Sequence, residues 1–312
     1  MGGVRRQGPP LLTQEGGAVW LATQVAESRL FAAGKLGTSE LNAILFYVSN
    51  RVTDGPKPPY PDMIQRHMFV NAGLFSATGA SREKALDDWC DHMIKEVLPH
   101  MDGLVEWNPS SPLYESMVLN AYAPDSTRFP LRSLEPYYCT KQHKWTTRIP
   151  PGIQTAVVSP FAATIESQYT KQADVWSSAP LWPTPAPTLH TVRAGYSPSL
   201  TAKGLKSAWP AEILDSGWRA AISYIVERVV ESGAKLAIIG CGALSLPIAA
   251  ALKKRGISAI HLGGATQILF GVKGRRWISH DVISKFFNDA WVSPADDETP
   301  TSAATVEGGC YW

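Results

Sequence analysis

The sequence predicts an α/β fold with a mostly parallel sheet and helices on both faces, and three observations predict it. Short apolar runs rich in β-branched residues recur at 104–107, 153–158, 236–239 and 258–262. The segments between them carry apolar residues at helical spacing, so strands alternate with helices rather than with hairpin turns. Turns bearing glycine or proline stand where strand gives way to helix, at 34–37, 159–161 and 240–242.

Taken in order, residues 1–12 form a loose lead-in rich in Gly, Pro and Arg. Thr13 caps a helix running to about residue 29, with Val19, Ala22, Ala26 and Leu30 on its inner side. An apolar piece at 30–33 meets Gly34 and Gly37, which predict a turn; a helix over 41–48 follows, with Thr38 or Ser39 as its N-cap. Five of the ten residues from Thr53 to Asp62 are Gly or Pro, which marks a loop at the rim. Ser81 caps the clearest amphipathic helix, with Leu86, Trp89, Cys90, Met93, Ile94, Val97 and Leu98 on one face before Pro99 stops it. A strand at 104–107, a helix over 113–122 and an aromatic loop over 129–138 come next; the loop holds Arg132 and Glu135.

The strand at 153–158 hands over through Ser159-Pro160-Phe161 to a helix ending near 169. Four prolines make 177–187 a connector, a strand at 188–193 follows, and a helix over 216–231 packs through Trp218, Ala221, Ile222, Ile225 and Val229. Beyond Trp277 the pattern predicts a helix near 281–290 and then a tail without periodicity. The expected organisation is one domain over 13–293, made of halves 13–150 and 151–293, with a tail at 294–312.

Composition narrows the classes. A chain of 312 residues can bury a full core, and a net charge of +2 gives no basic stripe for nucleic acid. Cys90, Cys139, Cys241 and Cys310 form no C-x-x-C pair, which argues against structural zinc or a disulfide framework and for a reducing compartment. The amino terminus lacks the apolar core of a secretory signal, Arg6 breaks the myristoylation pattern, and no run reaches the length of a membrane span. The expectation is a soluble, cytoplasmic protein.

The chemistry concentrates in 235–277. A buried strand, the turn Gly240-Cys241-Gly242, a helix with Pro247 in its first turn and a second strand make a right-handed βαβ unit. Ligands of such units sit outside the carboxyl ends of the strands, where helix amides face an anion. Here that edge comprises Gly240 to Leu244 and His261 to Gln267, including Gly263 and Gly264. A dinucleotide site would need a third glycine where Ser245 stands and a ribose-binding acid after the second strand; both are missing. Instead Lys273, Arg275, Arg276 and Trp277 follow, cations and an aromatic that suit a diphosphate and a flat ring.

Two separate places then resemble the GT-D type of glycosyltransferase, a class built on one Rossmann-like domain. Lys35-Leu36-Gly37-Thr38-Ser39-Glu40-Leu41 matches in spacing the family's early segment bearing a D-x-E motif, and 238–264 matches its later strand, small-residue turn, helix and strand. The likeness spans roughly 28–280. It implies transfer of a sugar from a nucleotide-diphosphate donor to a glycan or other hydroxyl acceptor, with a divalent metal, Mn or Mg, served by the D-x-E acids. Thr38 replaces the first acid, so only Glu40 carries over, as catalytic residue and metal ligand together. Lys35, Gly37, Thr38 and Ser39 would join Gly240, Gly242, His261, Gly263, Gly264, Lys273, Arg275, Arg276 and Trp277 around the donor.

A general base for the acceptor hydroxyl is sought among Glu135, His67 and Glu115, Glu135 first because it shares an aromatic loop with Arg132. A structural Arg132–Glu135 ion pair is the competing account of that acid. From other classes, a non-catalytic nucleotide-sugar binding module fits the missing acid at Thr38, and a dinucleotide oxidoreductase is disfavoured by Ser245.

Overall fold

The computed structural model describes residues 8–52, 55–200 and 209–312. The first seven residues of the expected lead-in, positions 53–54 of the expected rim loop and 201–208 lie outside the described residues.

Seven strands form one sheet: β1 (Ala32–Lys35), β2 (Gly103–Glu106), β3 (Thr127–Pro130), β4 (Gln154–Ser159), β5 (Thr188–Arg193), β6 (Leu236–Ile239) and β7 (Ser258–His261). Their order is β3-β2-β1-β7-β6-β4-β5, and every pairing is parallel. β6 and β7 are buried along their whole length, as continuous apolar runs covered on both faces must be. Two apolar clusters account for the covers. One gathers Leu41, Ile44, Leu86, Trp89, Ile225 and Ile248, and the other gathers Leu21, Val25, Phe129, Ile165, Trp176 and Phe270. Among the described residues no helix is long and apolar enough to cross a membrane.

Several elements follow the sequence closely. Thr13 and Ser81 cap their helices, Gln14–Ala26 and Arg82–His92, by accepting from the amides of Gly16 and Lys84. Every residue of the stripe read on the second helix is buried, although its last part, Met93–Val97, widens into a π-turn. The helix Trp218–Glu231 likewise buries all five expected residues.

Others depart from it. The first helix packs through Ala18, Leu21, Ala22 and Val25, while Val19 and Leu30 are exposed, because the burial stripe is set one position away from the expected one. Gly34 is inside β1 rather than in a turn: a Cβ there would stand 2.8 Å from the Cβ of His261 and 2.9 Å from Leu246, so glycine lets the central strands approach. The helix Thr38–Asn50 starts on Gly37, not on Thr38 or Ser39. β3 was unread, since Arg128 and Pro130 interrupt its apolar pattern; Arg128 is fully buried and held by Ser126, the Ala123 carbonyl and Glu106. Where a helix was expected at 281–290 only the short 3-10 turn Ile283–Phe286 forms.

Candidate functional site

An all-parallel sheet puts every strand's carboxyl end on one edge, and the ends of β2, β1, β7, β6 and β4 border a single cleft of about 490 Å³. Its lining includes Lys35, Gly37, Thr38, Ser39 and Glu40 from β1 and the following helix start, and Gly240, Gly242, His261, Gly263 and Gly264 from the βαβ unit. Glu40 and the glycine turn, far apart in sequence, therefore share one site.

Lys35 is the cation at its floor. Its ammonium lies 4.5 Å from the centre of the Trp107 ring, and its chain runs past Gly263, where a Cβ would approach the lysine Cε to 2.9 Å. Trp107 is fixed by donating from its indole to the Leu36 carbonyl (3.0 Å), and Asn108 beside it accepts from the Thr38 hydroxyl at 2.6 Å. The turn after β1 is thus stitched to the turn after β2. Glu40, third in its helix, folds back over the helix start: a Cβ on Gly37 would lie 2.0 Å from its Oε2. Burial raises the Glu40 pKa from its ordinary value, against the opposing pull of its own backbone amide and of Lys35. Burial likewise lowers the Lys35 pKa, opposed first by Glu135 and then by Glu40.

His261 ends β7 with its ring buried and its Nδ1 3.2 Å from both the Ile239 carbonyl and the Gly263 amide. Burial, then the Lys35 charge, push its pKa down to about 3 against the Ile239 hydrogen bond, so the imidazole is neutral at ordinary pH.

The glycines of 240–242 serve packing first. A Cβ on Gly240 would stand 2.6 Å from the Gly263 carbonyl; Gly242 has φ +60° and a Cβ there would meet the Ala72 carbonyl at 2.2 Å. Three amides of this turn already donate within the protein: Gly240 to Val158, Cys241 to the Ser245 hydroxyl at 3.0 Å and Ala243 to Ala72. Ser245, in the place of a third fingerprint glycine, is there as an acceptor for the turn, so the expected amide cradle for phosphate is largely spent. The turn after β4 is closed in the same way by a side chain: Glu298, fully buried, accepts from the Ala163 and Thr164 amides at 2.8 and 3.1 Å and from the Thr164 hydroxyl.

Of the basic loop only Arg276 reaches the cleft. It forms an ion pair with Glu307 and lies 4.9 Å from the Tyr311 ring. Lys273 sits 6.0 Å from the Phe287 ring, Arg275 is exposed and leans on the Gly308 carbonyl, and Trp277 is buried in the core beside Tyr311. None of these three lines the cleft, which corrects their assignment to the donor. A tryptophan meant to stack on a ligand must expose a face, and Trp277 is 6% exposed.

The general-base candidates separate. His67 is part of the π-turn His67–Asn71 and does not line the cleft. Glu115 is buried beneath the Trp107 turn, where it accepts from the Trp107 and Asn108 amides and from the Asn108 side chain; it is a structural acid. Glu135 does not line the cleft either, but its charge acts on Lys35. Burial pushes its pKa up to about 7 against Lys35, Tyr137 and Arg132. Among the described residues no contact ion pair joins Arg132 to Glu135, although the Arg132 charge acts on that acid; the guanidinium lies 5.0 Å from the centre of the Tyr138 ring.

A divalent ion wants several oxygen ligands. Among the described residues no three His, Cys, Asp or Glu side chains converge on such a site, and Glu40 has an ammonium for its charged neighbour. This donor set does not fit a metal held by the protein.

Sequence reasoning marks 71–75 as a turn but gives no place in the site to Val70–Gly73, Trp107, Tyr196 and above all the tail, which returns as a wall of the cleft through Val306, Glu307, Tyr311 and Trp312. Trp312 packs edge-on to Phe161 at 6.1 Å and near Tyr196 at 5.6 Å, and its indole donates to the Glu298 carbonyl. Two adjacent aromatics after a Gly-Gly pair were the available signal, since such rings seldom stay in water. Comparison of the chain with models of protein families, with curated proteins and with solved structures finds no match.

Proposed function

We propose that this protein is a cytoplasmic glycosyltransferase, on a GT-D-like form of the parallel-sheet fold, that moves a sugar from a nucleotide-diphosphate donor to a carbohydrate or other hydroxyl acceptor. The observation that carries the reading is the convergence of Lys35, Glu40, Arg276 and the glycine turn on one cleft at the carboxyl edge of the sheet. The cleft's 490 Å³ lies in the range of small-molecule sites, roughly 300–1,000 Å³.

In this reading Glu40 accepts the proton of the acceptor hydroxyl as that oxygen bonds to the sugar's anomeric carbon. The bond from that carbon to the diphosphate breaks, and its electron pair leaves on the diphosphate. Lys35 offsets the departing charge, joined by Arg276 once the ligand displaces Glu307; such preorganised cations act strongly in a cleft poor in water. Burial raises the Glu40 pKa, which makes its carboxylate a stronger proton acceptor than an exposed one. No step runs through a metal. A binding module without turnover is the second reading, favoured by Thr38 standing where the D-x-E pattern has its first acid.

Incubation with a panel of nucleotide sugars, with and without manganese, and assay of released nucleotide separates the two. Glu40→Gln is expected to lower turnover about 100-fold or more, with a melting temperature within about 2 °C of the parent. Undiminished turnover in that variant overturns the role of Glu40, and binding without turnover in the parent favours the module.

A further inference from the structure

We infer that Thr266, Gln267 and Asn71 form a wall of the cleft that recognises the hydroxyls of a ring-shaped ligand. The inference rests on the transferase reading for what that ring is, either the ribose of the donor or the sugar it carries.

All three residues line the cleft, and Thr266 and Gln267 are 1% and 2% exposed. The Thr266 Oγ1, Gln267 Oε1 and Asn71 Oδ1 atoms are buried with no hydrogen-bond partner in the protein. Buried polar atoms without a partner are uncommon, and three on one cavity call for a reason. Gln267 is not free to turn its amide over: its Nε2 donates to the Tyr311 carbonyl at 3.0 Å and the Val272 carbonyl at 3.3 Å, which leaves Oε1 as the unmet acceptor. Thr266 faces Gly240, where a Cβ would come within 2.5 Å of the hydroxyl. Diphosphate oxygens accept and cannot satisfy Gln267 Oε1, whose amide orientation is fixed. Hydroxyls donate and accept, and so they can.

Thr266→Val tests this, because it removes the hydroxyl at nearly constant shape. Thr155→Val is the control: Thr155 Oγ1 is also buried and unpartnered, but it lies on β4 away from the cleft. The two variants and the parent are titrated calorimetrically with nucleoside diphosphates, their 2′-deoxy analogues, the glucose conjugates of those diphosphates, and free glucose at high concentration. Thr266→Val should bind at least about tenfold more weakly wherever the recognised ring is present, with thermal stability equal to or above the parent; Thr155→Val should bind as the parent does. A loss shared by diphosphates and their conjugates but absent for 2′-deoxy analogues names the ribose, and a loss confined to conjugates names the sugar. If the parent binds glucose alone and Thr266→Val loses it, the inference stands and the nucleotide reading falls. Equal affinities in Thr266→Val and the parent, or no binding by the parent to any of the four, overturn the inference.

Discussion

Glu135 shows how one side chain behind a site sets its electrostatics. Its folded pKa of about 7 stands above the ordinary value of 4.5, so between these two the folded protein holds a proton that the unfolded chain has released. The stability this contributes is whole below pH 4.5, declines as pH rises and is gone above about 7. His261 acts in the opposite sense: its lowered value costs stability as pH falls from 6.5 toward 3, so the two slopes cancel over the shared window. Glu135→Gln removes one of them. Relative to the parent, this variant should gain roughly 1–3 kcal/mol between pH 5 and pH 8, read from urea midpoints at the two pH values. A difference that stays constant with pH would mean that Glu135 titrates as an ordinary surface acid. Single residues also explain what the sequence hid: Lys273, Arg275 and Arg276 look alike on paper, and of the three it is Arg276, paired with Glu307 thirty-odd positions away, that lines the cleft.

Among elements, the strand-to-helix turns repay comparison. All three were legible as glycine- or proline-bearing breaks after apolar runs, and the parallel sheet made their convergence legible as well. Their occupancy was not, because each is completed by a partner remote in sequence or hidden in the turn itself. Glu40 folds over the first and Ser245 closes the last, while Glu298 sits on the helix Ala162–Tyr169 with both carboxylate oxygens engaged. Glu298→Ala should leave two helix amides and a hydroxyl without an acceptor in a dry site, costing about 2–3 kcal/mol in denaturant unfolding. Glu298→Gln, which keeps one acceptor oxygen, should recover part of that loss. If both variants unfold with the parent, the cap carries no weight. The edge strand β3 escaped notice for a similar reason: a buried arginine is apolar in position but not in letter.

For the molecule as a whole, the tail is the part that ties fold to site. Periodicity could not reveal it, since its short 3-10 turns repeat no pattern, yet it carries Glu307, Tyr311 and Trp312 back to the cleft and seats Trp312 against Phe161 and Tyr196. Trp312→Ala is expected to lower the unfolding free energy by about 1–3 kcal/mol and to open 299–311 to proteolysis. Ligand affinity should drop with it, since a wall of the cleft is lost. Affinity equal to that of the parent would show the tail to be packing only.

The sheet order has a further consequence, for synthesis. β1 lies inside the sheet, third from one edge, and one of its two neighbours is the central strand β7, with Ala32 beside Ala259 more than two hundred positions later in the sequence. While the polypeptide is still emerging from the ribosome, β1, β2 and β3 can associate, yet the inner edge of β1 stays open until β7 has been made. Contacts this distant close slowly, so one edge of β1 stays unpaired while the residues between the two strands are being made.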